Sequence, residues 1–195
     1  MRYPSGLNKA YQPKNKIGNR GMSLELEIND TNKYYLNNNI AVIYKKPTPI
    51  TVNKVDYKAR NNVTITEAKF LVPSTTDYNG IYKGKYIDFE AKETNKPYLP
   101  LSNIHKHQIN HLEKIMKHGG IGFIIVRFTK NNETYLLEIK DLLDFINNET
   151  RKSIPIDYFK EKGHLIKQGI KLDYLKIIER VIMWKNILKI LTLSQ

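Results

Sequence analysis

The chain has 195 residues and no cysteine, which suits one domain with a substantial core and excludes both a disulfide framework and a thiolate zinc site. Lysine and arginine number 32 against 19 aspartates and glutamates, a formal net charge of +13 that fits a phosphate-rich partner, although a basic RNA- or lipid-binding protein carries the same signature. No run approaches the ~20 apolar residues of a spanning helix and no signal-like segment is visible, so the expectation is a cytoplasmic protein with no membrane partner.

In chain order, residues 1–17 are basic and carry Tyr and Asn without periodicity, the pattern of a mobile arm, and 18–195 is expected to form a single domain. A helix is predicted from near Asn19 or Gly21 to about Asn37, with Met22, Leu24, Ile28 and Tyr35 on its apolar side and Glu25 at the stripe's border. Arg20, beside the helix start, suits a phosphate contact. Ile40 to Tyr44 reads as a first strand, which Lys45-Lys46-Pro47-Thr48-Pro49 interrupts. Residues 50–72 are extended and β-branched, too long for a hairpin loop, with Lys54, Lys58, Arg60 and Lys69 interleaved with Tyr57 and Phe70. Lys45 and Lys46 join these as candidate DNA contacts, and a twisted hairpin with a solvated basic face is the plainer alternative.

Residues 75–92 carry the densest chemistry. Ile87, Phe89 and Ala91 alternate with Asp88, Glu90 and Lys92, as a half-buried strand requires, and Lys83-Gly84 supplies a two-residue turn after Tyr82. Extended outward, that register places Asp77 opposite Glu90 and Thr75 opposite Lys92. Opposed carboxylates at roughly 5 Å repel unless neutralised, and Mg²⁺ suits one or two carboxylates plus a substrate phosphate. Phosphodiester hydrolysis follows as the chemistry: Asp77 and Glu90 hold the metal, and Lys92 balances charge on the transition-state phosphate. The competing interpretation makes Asp77 a turn cap and Glu90 and Lys92 a solvated face.

Beyond a Pro-bearing loop, Ser102 is the expected N-cap of a helix ending at Gly119-Gly120, with Gln108 a polar residue in the apolar stripe of Ile104, Leu112, Ile115 and Met116. His107 and His111 at i, i+4 offer a weak zinc pairing without the glutamate of a metalloprotease motif. Ile121–Phe128 and Tyr135–Ile139 are predicted strands, and Asp141 to Asn147 a short helix. Arg151 to Lys162 should be a basic connector with a helical turn after Pro155, stopped by Gly163. Asp173 to Leu193 is a strongly apolar helix bearing Trp184, which docks on the core or on a second subunit.

Asp77 followed by Glu90-Ala91-Lys92 resembles the PD-(D/E)xK nuclease signature. Its surroundings are similar to the RecU-type Holliday-junction resolvases: Met1-Arg2-Tyr3-Pro4-Ser5-Gly6, Asn19-Arg20-Gly21-Met22-Ser23-Leu24-Glu25, Tyr44-Lys45-Lys46-Pro47-Thr48-Pro49-Ile50, the hairpin through Glu93-Thr94, and His107-Gln108. The resemblance runs to about Leu175 and implies an α/β fold: a mixed central sheet flanked by helices, a restriction-endonuclease-like core, and 50–72 as a projecting β stalk. It implies magnesium ligands at Thr75, Asp77, Glu90 and Gln108, Lys92 as transition-state stabiliser, and Glu25 as a carboxylate facing the metal centre. Mn²⁺ is a possible substitute for Mg²⁺, since both accept oxygen-rich sites. The implied substrate is a four-way DNA junction cut by a homodimer, with a recombinase and branch-migration proteins as further partners. Another nuclease of the superfamily, or a non-catalytic architectural protein for DNA or RNA, remains as an alternative. Nothing carries over to the tail after Tyr174, which makes up most of the C-terminal helix expected at 173–195.

Overall fold

The structure, a computed structural model, describes residues 23–59, 62–71, 75–167, 169 and 171–181. The expectations for the N-terminal arm, for Arg20 and Arg60, and for the apolar segment beyond residue 181 lie outside these residues. Helix α1 spans Leu24–Asn37. Its start falls at Ser23, whose hydroxyl accepts from the Leu26 amide, and Glu25 and Glu27 in the first turn complement the helix dipole. Asn39 ends it at positive φ.

A six-stranded sheet forms the centre, built from β1 (Val42–Lys45), β4 (Tyr78–Tyr82), β5 (Lys85–Thr94), β7 (Ile121–Phe128), β8 (Glu133–Glu138) and β10 (His164–Leu165). The strands lie in the order β1-β4-β5-β7-β8-β10; β5 and β7 run parallel and every other neighbour is antiparallel, so the sheet is mixed as expected. The parallel pair needs a crossover. Helix α2 (Lys106–Lys117) supplies it. Helices α3 (Ile139–Asn148) and α4 (Ile156–Lys162) pack beside α2.

Both sheet faces are therefore covered. On one, α1 and a helical segment at residues 175–181 enclose Leu24, Ile28, Ile43, Phe89, Phe123 and Ile178. Tyr78, Phe89 and Phe123, on three adjacent strands, stack with ring centroids 4.8 and 4.7 Å apart. On the other face α2, α3 and α4 enclose Leu112, Ile124, Val126, Phe128, Leu142 and Phe159. This corrects one expectation: the polar face of β5 is no solvated surface, since Asp88 and Glu90 are both fully buried. The strand was read as half-buried because alternation reports side-chain polarity, not whether a helix covers it.

One ion pair and one hydrogen bond seat α1. Glu27 pairs with buried Arg127 of β7, whose Nε also donates to Thr134, and Glu93 Oε1 accepts from the Leu24 amide at 3.0 Å. Strands β2 (Ile50–Ala59) and β3 (Asn62–Phe70) form a separate antiparallel pair, none of whose described side chains is buried. β6 (Tyr98–Pro100) and β9 (Ser153–Pro155) form another small pair, and neither strand, nor β10, carried a sequence pattern long enough to read. Ser102 sits in a 3₁₀ turn, not at a helix cap. The cap of α2 is His105, where a reciprocal box with Gln108 satisfies the first turn.

Candidate active site

The turn that joins β4 to β5 adopts positive φ at both Lys83 and Gly84, the geometry that matches strand twist in a two-residue hairpin. Five pairs follow the predicted register, from Tyr82↔Lys85 to Tyr78↔Phe89. Beyond Tyr78 the chain leaves the ladder. The Asp77 amide instead donates to Glu90 Oε2 at 3.1 Å, the Asp77 carbonyl accepts from the Lys46 amide at 2.7 Å, and Asp77 Oδ2 accepts from the Ala91 amide at 3.3 Å. Asp77 and Glu90 thus meet as neighbours, while Thr75 lies half-buried in the preceding bend and is not paired with Lys92 in the ladder.

Glu90 is in an unfavourable setting for a carboxylate. Burial, then the Asp77 charge, push its pKa up to about 7, against the opposing pull of Lys92. The Lys92 ammonium pairs with the buried Oε1 at 2.5 Å. Tyr78 reports the same concentration of negative charge: burial first, then Glu25, Asp77 and Glu90, raise its hydroxyl well above the ordinary tyrosine value. Glu25 is exposed and paired with Lys45, so it borders the carboxylate pair from α1.

These residues fit a hard divalent cation. They supply carboxylate and amide oxygens and two neighbouring like charges, one of them buried with a raised pKa, in want of neutralisation. Among the described residues no group of three or more His, Cys, Asp and Glu is placed to hold a metal, and His111 turns its Nε2 to Asp88 Oδ2 at 3.1 Å. Two carboxylates with room for water and phosphate is the usual arrangement for Mg²⁺. Gln108 is buried on α2, and its Oε1 accepts from the His105 amide at 2.9 Å, leaving that oxygen a second lone pair.

The basic residues divide. Lys54 and Lys69 are exposed on the β2–β3 pair, together with Tyr57 (76% exposed) and Phe70 (82% exposed), and the backbone of Lys58 lies in β2. Lys45 is exposed beside Glu25. Lys46 turns inward: its ammonium donates to Thr76 Oγ1 at 2.9 Å and to Asp88 Oδ2 at 2.8 Å. Thr76, Tyr86, Asp88 and His111 meet there, a group that sequence reasoning missed because its members lie up to 65 positions apart, from Lys46 to His111. An open cleft of about 390 Å³ lined by Glu93, Thr94, Lys96 and Asn103 lies past Lys92, outside the carboxylate pair.

The profile of Recombination protein U matches residues 19–180. The chain belongs to the RecU family. A protein of Bacillus cytotoxicus called "Holliday junction resolvase RecU" is 51% identical, the match covering 93% of this chain and 98% of that one. A protein of the same name from Bacillus cereus is 49% identical over the same shares. The Hjc Holliday junction resolvase of Archaeoglobus fulgidus matches with a TM-score of 0.43 and 9% identity over 70% of this chain and 91% of its own. The matched residues include α1, the β4–β5 hairpin and α2.

Proposed function

We propose that this chain is a magnesium-dependent endonuclease that resolves four-way DNA junctions during recombination and repair, cutting two strands symmetrically as a homodimer. The observation that carries the reading is the meeting of Asp77 with buried Glu90, whose Oε2 accepts from the Asp77 amide while the Lys92 ammonium pairs with Oε1. RecU relatives about half identical over nearly their whole length carry the resolvase name.

Asp77, Glu90, Thr75 and Gln108 would hold the cation, Mg²⁺ or in its place Mn²⁺. When bound, it supplies charge neutralisation at the scissile phosphate and a water of lowered pKa. Asp77 is held for this task at its amide, carbonyl and carboxylate. Lys92 stands where an ammonium offsets the charge that builds on the phosphate as the water oxygen bonds to phosphorus and the P–O bond to the leaving strand breaks. Hydrolysis of one phosphodiester yields one nick, so a resolved junction needs two sites and hence two copies of the chain.

The β2–β3 pair presents lysines and two exposed aromatic rings without contributing to the core, a suitable surface for phosphates and unstacked bases at a branch point. Affinity set mainly through phosphates and DNA shape should fall steeply with salt. No helix of the described residues is long and apolar enough to cross a membrane, and we place the activity in the cytoplasm with its DNA substrate. The test is cleavage of a four-way junction beside matched linear duplex, in Mg²⁺ or EDTA, by wild type and Asp77→Asn. Paired nicks on the junction alone, abolished by EDTA and by the substitution while binding persists, are expected. Junction binding without nicking in any metal would replace this reading with an architectural one.

A further inference from the structure

Asp77 lies outside the regular ladder, so its aim depends on whatever fixes the bend at residues 75–77. Lys46 does so twice. Its amide holds the Asp77 carbonyl at 2.7 Å, and its ammonium holds the Thr76 hydroxyl at 2.9 Å. That hydroxyl in turn donates to Asp88 Oδ1, while Lys46, Tyr86 (3.0 Å) and His111 (3.1 Å) all approach Oδ2. The donor and acceptor roles close consistently: one hydroxyl proton given, one lone pair filled, and a carboxylate that only accepts, with the His111 proton assigned to Nε2. Asp88 is fully buried and the Lys46 side chain 17% exposed, so the hydrogen bonds at the centre of this network are shielded from solvent. Lys46 also precedes Pro47, which restricts its backbone to extended conformations before any of these bonds form.

We propose that Lys46 is a positioning residue for the nuclease reaction, acting through Thr76 and backed by Asp88, which aims Asp77 at Glu90. This inference rests on the assignment of Asp77 and Glu90 as the reacting-centre carboxylates. It differs from a DNA-contact role for Lys46, whose ammonium is directed at the protein interior. Catalytic groups must be held within about 0.5 Å, and a displacement near 1 Å costs on the order of 100-fold in rate.

Thr76→Val removes the hydroxyl with little change in volume and leaves the Lys46–Asp88 pair, whereas Thr76→Ser keeps the hydroxyl. The measurements are single-turnover nicking of a four-way junction at saturating protein, half-saturating Mg²⁺ for that rate, and junction affinity in Ca²⁺, with Asp77→Asn as control. Thr76→Val and Lys46→Met should each lose on the order of 100-fold in nicking rate and need about 10-fold more Mg²⁺, with affinity within about 3-fold of wild type. Thr76→Ser should stay near the wild-type rate, and the double variant should be no worse than either single one. Wild-type nicking by Thr76→Val, when Asp77→Asn is inactive, overturns the positioning role alone. So does a Lys46→Met defect confined to affinity, with the salt slope reduced by about 1, which marks a phosphate contact. A fully active Asp77→Asn would overturn the active-site assignment and this inference with it.

Discussion

Replacing Glu90 with Gln should stabilise the metal-free protein and abolish its nicking. In the fold the Glu90 carboxylate is fully buried beside Asp77, and its pKa rises from 4.5 to about 7. The folded state therefore holds a proton that the unfolded chain releases across that interval. Below pH 4.5 both states are protonated and Glu90 costs nothing; as pH climbs to 7 stability falls, and above 7 the full penalty persists. At about 1.36 kcal/mol per unit, the upper bound is roughly 3 kcal/mol, and relaxation around the pair makes about 1–3 kcal/mol the working range. Gln keeps an oxygen for the Asp77 amide and never ionises. For a domain of this size the gain corresponds to a Tm rise from about 2 to about 12 °C at pH 8, shrinking to nothing near pH 4.5. Thermal unfolding in EDTA at pH 4.5, 6 and 8 measures it, and added Mg²⁺ should raise the wild-type Tm more than that of the variant. A variant that loses stability relative to wild type as pH rises would show that the Lys92 ion pair outweighs burial, and a difference that is the same at every pH would show that Glu90 ionisation contributes nothing; either would refute the reasoning.

Other outcomes follow from single contacts. Asp77→Asn should lower junction nicking by at least about 10³-fold while retaining junction affinity, read by single-turnover cleavage and gel shift. Phe70→Ala, at a side chain 82% exposed, should change stability by less than about 0.5 kcal/mol yet weaken junction binding by about 1–3 kcal/mol if bases stack there. Gly80→Ala should unfold or severely destabilise the protein, since a Cβ there would sit 2.1 Å from the Val42 carbonyl of β1; soluble yield and chemical denaturation report it. Tyr174→Phe deletes a hydroxyl that donates to buried Asn32 and should cost about 1–3 kcal/mol in urea unfolding.

The hairpin was legible because its determinants are local. A period of two, a Lys-Gly turn and five cross-strand pairs all lie within fifteen residues of one another, and each constrains the next. The existence of α2 was equally readable from the stripe of Leu112, Ile115 and Met116, though its role as a crossover between parallel strands was not. The start of α2 was not readable either, because Ser102 is the stronger cap by type, whereas Leu101–Asn103 fold as a 3₁₀ turn and the helix begins after His105. Covered polar groups were the larger blind spot. Asp88 and Glu90 alternate with Ile87 and Phe89 as a solvated edge would, and only the packing of α2 over that face shows that both are interior.

That blind spot has a physical meaning for the site. A strand whose two faces are both buried would ordinarily read as a continuous apolar run, so acidic residues at alternate positions conflict with the fold unless something compensates them. Asp88 is compensated within the protein, by Lys46, Thr76, Tyr86 and His111, and its charge supports structure. Glu90, two residues on and on the same face, is compensated only in part: one oxygen takes the Asp77 amide and the other the Lys92 ammonium, yet burial beside Asp77 still raises its pKa. Under the proposed function the contrast would separate a positioning carboxylate from a metal-binding one, and a bound cation would recover the stability that Glu90 costs the empty fold.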